Sequence, residues 1–264
     1  MKGYIKQNYK TFLIGLTSLL FMWLIWFIAQ KSIKNGYLVP SVLDTFKALK
    51  NILSDGFFYK ALLKSLQKVI LSIAISYLLA GICAVLGKIF KGVTSFLVPF
   101  ISMFRTLPTM AILVLIMFYT NPFIFIAPII VTVLVMFPMV YAQFNTALDT
   151  IDQKTIFAVK VFKLTKRQSL FKVYLPLISP SICSHLGSNL SFSLKIVISA
   201  EVMTNIFTSI GGLMQTARAL EEIPTLLALT LFSVLLGILI EVVWSIVFSF
   251  MFKWNKLEAK DDRA

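Results

Sequence analysis

DTIDQKTIFAVKVFKLTKRQSLFKVYLPLISP, residues Asp149 to Pro180, is the longest polar stretch in an otherwise strongly apolar chain. It carries Lys154, Lys160, Lys163, Lys166, Arg167 and Lys172 against only Asp149 and Asp152, and apolar runs flank it on both sides. An excess of Lys and Arg in a short loop between apolar runs marks the cytoplasmic face of a membrane protein. The loop is also built to fold. Thr165 followed by Gln168 has the spacing of a capping box, in which each side chain satisfies a backbone donor at the start of a helix. Asp149 or Asp152 is placed to cap an earlier helix. Ile156, Val159 and Phe162 give that earlier helix an apolar edge, and Leu170, Phe171 and Tyr174 do the same for the later one. Two short amphipathic helices on a basic loop suit docking to another protein.

Working outward, the 264 residues are 58% hydrophobic with a mean hydropathy of +0.88, which excludes an ordinary soluble domain. The expected fold is all-α, one polytopic membrane domain over 1–264 with six transmembrane helices and a cytoplasmic loop at about 143–176. The spans are expected at 11–29, 63–86, 93–119, 123–142, 177–202 and 225–252, each near the ~20 residues that cross a bilayer. Thr120-Asn121-Pro122 reads as an external turn. Residues 42–53, with Leu43, Phe46, Leu49 and Leu53 at helical spacing, read as a helix lying on a surface. Prolines 108, 128 and 138 fall inside the third and fourth spans, where proline often marks a moving or ligand-lining helix. With six spans both termini share the side of the basic loop. That side holds fifteen Lys and Arg against six on the other, so the termini are expected in the cytoplasm. The net charge of +14 is accounted for by loops beside spans, which suits anionic headgroups and not nucleic acid. Cys83 and Cys183 both sit in apolar runs and imply neither a disulfide nor a metal site.

The loop has the spacing of a known signature. Glu-Ala-Ala, three residues, Gly, nine residues, Ile, one residue, Leu-Pro is the cytoplasmic motif of ABC-importer permeases, and Phe157-Ala158-Val159, Lys163, Val173 and Leu175-Pro176 fall in that register without a gap. Phe157 stands where the family has Glu, Val159 where it has Ala, and Lys163 where it has the Gly of a turn. Other pieces resemble the permeases for nitrate, sulfonate, taurine, bicarbonate or thiamine precursors. These are Val39-Pro40-Ser41, Ser65-Leu66-Gln67-Lys68-Val69, Phe104-Arg105-Thr106-Leu107-Pro108, and Lys195 through Ala200-Glu201 followed by Ile210-Gly211. The resemblance implies a type I ABC-importer permease in the cell membrane. It implies two copies forming the pore, cytoplasmic ATPase subunits that carry ATP and Mg, and an extracytoplasmic binding protein that delivers a small solute. Phe157, Ala158, Val159, Lys163, Val173, Leu175 and Pro176 would then couple to the ATPase. The chain itself would be neither an enzyme nor a cofactor or metal binder.

No catalytic constellation is legible: His185 is the only histidine, and neither a Ser/His/Asp set nor a Gly-rich phosphate loop is present. The alternative class is a secondary transporter or channel working without an ATPase. Such folds show internal repeats with paired broken helices, and the halves of this chain do not resemble each other. The candidate pathway lies on the fifth span. Ser184, Ser188, Ser191, Lys195 and Ser199 fall within about 80° of arc at ~100° per residue, with His185, Asn189 and Ser193 on one flank. Two readings are open: a packing seam of small residues, or a pathway lining of Ser188, Ser191, Lys195 and Ser199 with Lys195 facing an anionic cargo. Glu241, deep in the sixth span, is a candidate partner for Lys195. Arg105 and Lys68 are expected to snorkel to headgroups.

Overall fold

The structure is a computed structural model that describes residues 17, 20–21, 23–32, 40–119, 125–204 and 206–252. All its regular elements are helical. In chain order they are α1 (Val42–Ser54), α2 (Gly56–Ile89), α3 (Lys91–Thr106), α4 (Thr109–Tyr119), α5 (Ala127–Asp149) and α6 (Gln153–Val161). Then come α7 (Lys166–Gln168), a π-helical turn (Ser169–Tyr174), α8 (Leu175–Ser184), α9 (Leu186–Thr204), α10 (Ile210–Ala219) and α11 (Ile223–Met251). Helix α2, α5 and α11 are each long and apolar enough to cross a membrane, and α3 with α4 makes a fourth if the bent pair is one span. The described residues among 17–32 are also helical. The external turn expected at 120–122 lies outside the described residues.

Four expectations about the spans differ in the structure, the first being the fifth span, expected at 177–202, which is broken at His185 into α8 and α9. Helix α2 begins at Gly56, not near residue 63, because Asp55 accepts a hydrogen bond from the Phe57 N–H and Phe58 packs edge-on against Phe232 of α11. The third span is not continuous: Pro108 separates α3 from α4, and the two meet at 100°. Helix α5 runs through Asp149, so residues 143–149 continue that helix and are not irregular loop.

One face of α2 is nearly all small: Ala61, Ser65, Ser72, Ser76, Ala80, Ala84 and Gly87 are buried. Small residues at this spacing let backbones approach closely where hydrophobic exclusion of water is unavailable. Ser72 and Ser76 donate to the carbonyls of Lys68 and Ser72, so their hydroxyls stay satisfied in an apolar setting. Helix α5 packs along that face with Val140, Tyr141, Phe144 and Ala147. Lys88 and Asp149 pair across its end. Helix α9 sits against α2, α5, α10 and α11 and is the centre of the bundle. Gly187 and Gly237 set its distance from α11: a Cβ on either would lie within 3 Å of Trp244 or of the Ser191 hydroxyl. The Trp244 indole N–H then donates to the Cys183 carbonyl at 2.7 Å, at the break between α8 and α9.

The basic loop folds as its sequence dictates. Asp152, of the two candidates, caps α6 by accepting from the Lys154 N–H. The Thr165 N–H donates to Gln168 Oε1 at 3.0 Å, and the Gln168 N–H donates to the Thr165 hydroxyl at 3.3 Å, closing the capping box. Between them α6 ends in a left-handed turn. The Leu164 N–H reaches the Val159 carbonyl, the Lys163 N–H reaches the Lys160 carbonyl, and Lys163 adopts φ 49°. A lysine there costs about 1 kcal/mol relative to glycine. Replacing Lys163 by Gly is therefore expected to stabilise the turn, slowing exchange of the Leu164 amide about fivefold by hydrogen–deuterium exchange. Further on, Pro176 has no N–H to return to Lys172. The ladder widens ahead of it, and the Leu175 N–H donates five residues back to Leu170.

Candidate functional site

Two faces and one buried knot hold the chemistry-bearing residues. The knot joins α2, α9 and α10. Lys68 and Glu201 are both 0% exposed and pair at 2.6 Å. The Ser65 hydroxyl donates to the Glu201 carboxylate and accepts from the Ile210 N–H at 3.0 Å. The Gly211 N–H donates to the other carboxylate oxygen at 3.2 Å, so the start of α10 is seated on an anion. A Cβ on Gly211 would fall 2.4 Å from Glu201 Cβ and 2.6 Å from the Ile198 carbonyl, so only glycine allows this approach. The Lys68 ammonium also lies 4.7 Å from the centre of the Phe125 ring. The expectation that Lys68 snorkels is thus corrected: it is neutralised inside the protein. Three of the motif pieces read from the sequence, around Ser65–Lys68, Glu201 and Ile210-Gly211, meet at this point.

The first face is the open side of α9. Ser188, Phe192, Lys195, Ser199 and Met203 are exposed in one line along the helix, with Ser184 exposed at the end of α8 before it, whereas the remaining sides of α9 are packed. Ser191 was expected on this line and is instead 3% exposed, turned against Gly237 of α11. It stands at the edge of the arc where α11 covers the helix, and Phe192 takes the open place beside it. Asn189 and Ser193 are also buried, and only His185 of the expected flank is exposed. Asn189 and Gln143 form a reciprocal amide pair, at 2.8 and 3.3 Å, and Asn189 donates to the Tyr77 hydroxyl at 2.7 Å. Lys195 and Glu241 form no ion pair among the described residues; both are exposed.

Beside this line the breaks at Pro108 and His185 open a cavity of about 560 Å³ against α5. Its polar lining is Arg105, Thr109, Gln143, Thr146, Ser181 and His185, and Phe104 and Phe192 supply aromatic walls. Arg105 is exposed, and its guanidinium turns toward α5. Helix α3 starts at Lys91 and carries Arg105 at its far end. There the guanidinium reaches the Pro138 carbonyl at 3.5 Å, roughly 16 Å by helical rise from the end of α5.

The second face is the helical loop. Phe157 is 68% exposed, and Val161, Phe162 and Phe171 are exposed with it, ringed by Lys154, Lys160, Lys163, Arg167 and Lys172. Val159 is buried beneath them and Ala158 half-buried. Val173 and Leu175 are half-buried and Pro176 is exposed, so the second half of the motif fixes the loop to α8 more than it presents a surface. Among the described residues, no three His, Cys, Asp or Glu side chains gather where a metal ion could be held.

The sequence profile of the family described as binding-protein-dependent transport system inner membrane component matches residues 76–255. No curated protein sequence matches. An amino acid ABC transporter superposes with a TM-score of 0.62 at 17% identity, over 78% of this chain and 97% of that one. A bacterial ABC transporter that imports the acidic polysaccharide alginate gives 0.66 at 14% identity, over 94% and 98%. A bacterial alginate ABC transporter in complex with an alginate pentasaccharide-bound periplasmic protein gives 0.63 at 13% identity, over 91% and 94%. At these identities the likeness is one of fold.

Proposed function

The chain belongs to the family of binding-protein-dependent transport system inner membrane components, and from that premise we propose that it is the permease subunit of an ATP-driven ABC importer. Two copies form the pathway, cytoplasmic ATPase subunits dock on the 152–172 loop, and an extracytoplasmic binding protein delivers the cargo. The termini and the loop lie in the cytoplasm, on the side richer in Lys and Arg. ATP-driven closure of the two ATPases draws the two loops together and rocks the bundles, so that the pathway alternates between the two sides of the membrane. The cargo is a small solute of the nitrate, sulfonate or taurine kind, or a thiamine precursor, as the motif resemblance implies.

The observation that carries this reading is the one-sided burial of α9. The central helix of the bundle leaves open the line that bears Ser188, Lys195 and Ser199. Hydrocarbon does not tolerate an unpaired ammonium, so this line meets water or a second protein surface. A second copy facing the first across the line encloses a polar pathway. Lys195→Met keeps the bulk of the stem and removes the charge. It is expected to reduce uptake at least about tenfold, with assembly and basal ATP hydrolysis retained. Uptake at the wild-type rate from proteoliposomes would remove Lys195 from the pathway.

A further inference from the structure

We propose that the cavity between the α3–α4 break, α5 and the α8–α9 break is a binding subsite for a small oxyanion, with Arg105 as its fixed charge. The subsite rests on the reading of the chain as a permease and places a specific contact on the cargo's route. A guanidinium has five N–H donors and is never deprotonated in a protein. Here a single long contact, to the Pro138 carbonyl at 3.5 Å, is its hydrogen bond among the described residues, and no Asp or Glu lines the cavity. Among the described residues Arg105 has no ion-pair partner. Arg105 is exposed at the end of α3, at the bend to α4, and a permanent cation in an apolar bundle requires a counter-charge or water; the described residues place no carboxylate beside it.

The remaining walls are suited to the same ligand. Gln143 is held in one orientation by its reciprocal pair with the fully buried Asn189, which occupies one of its two amide N–H donors. Thr109, Thr146 and Ser181 add hydroxyls, and Phe104 and Phe192 give an apolar side for the body of the molecule. The volume of about 560 Å³ lies within the range of small-molecule sites. Phe192 belongs both to the cavity and to the open line of α9, so the cavity joins that line near Lys195. The occupant is therefore a small molecule bearing a carboxylate, sulfonate or comparable oxyanion. A lipid phosphate offers the same chemistry, and the test separates the two sources.

The chain is purified with its co-eluting ATPase in phosphatidylcholine nanodiscs. It is then titrated with sodium methanesulfonate, or with the neutral near-isostere dimethyl sulfone, at constant ionic strength, and thermal stability is read. A saturable stabilisation by methanesulfonate alone is expected. It should weaken at least about tenfold in Arg105→Gln and less in Arg105→Lys. Absence of saturation in the wild type, or equal response in Arg105→Gln, overturns the subsite. Phosphatidylglycerol discs score the lipid source: if Arg105→Gln alters stability only there, and methanesulfonate acts in neither lipid, the occupant is a headgroup and the subsite fails. Should Arg105→Gln not insert, Arg105→Lys decides, since equal response to the two probes in that variant also rejects the proposal. Co-elution of the ATPase is read on the same sample. Loss of anion binding with the ATPase present rejects the subsite alone, whereas absence of an ATPase rejects the permease reading.

Discussion

Replacing Glu201 by Ala should destabilise the protein by about 3–5 kcal/mol, lowering the melting temperature of the solubilised chain by on the order of 10 °C. The cost arises from what is left behind. The Lys68 ammonium would stay fully buried with the Phe125 ring as its remaining charge-stabilising neighbour, and both the Ser65 hydroxyl and the Gly211 N–H would lose their acceptor. Removing both charges is a different experiment. In Lys68→Met with Glu201→Met neither charge is stranded, so the double variant should be more stable than Glu201→Ala. Thermal unfolding followed by size-exclusion chromatography checks both statements. A Glu201→Ala protein that melts with the wild type would show that the knot does not hold α2, α9 and α10 together.

The all-α fold and the capped helices of the basic loop were legible because their signals are local. Apolar runs of span length, the Asp152 cap and the Thr165–Gln168 box depend on residues a few positions apart. Lys163 is a sharper case. The family resemblance placed a glycine turn there, and the backbone takes the left-handed conformation although a lysine occupies it. The knot was not legible as a contact. Its motif pieces were visible, but Ser65 and Glu201 are far apart in sequence, and only the packing of α2 on α9 shows that Lys68 faces inward. The α9 stripe was legible as an arc and not as a surface. Ser191 falls within the arc, and what turns it into a packing residue is Gly237, on a helix whose position sequence periodicity does not encode. Likewise Pro108 announced a perturbed span, but the 100° bend and the cavity it opens depend on tertiary packing.

The double substitution Phe157→Asp with Lys163→Asp should leave the fold intact and uncouple it from its ATPase. Both side chains are exposed, and aspartate tolerates the left-handed turn at position 163 better than lysine does. Burying Phe157 against a partner contributes about 1.5–3 kcal/mol, and a carboxylate in its place adds a desolvation cost, so association should weaken at least about tenfold. Coupling is then lost: the complex that remains hydrolyses ATP without moving cargo. The claim that this chain is a permease driven through the 152–172 loop is tested most directly by a single cysteine at Phe157, with Cys83 and Cys183 replaced. The purified complex is treated with a short thiol-to-amine cross-linker. A covalent adduct with the ATPase subunit, absent from the same reaction with the cysteine at Ser41, is the predicted result. A chain that purifies without an ATPase, or cross-links to it from Ser41 and not from Phe157, would contradict the account.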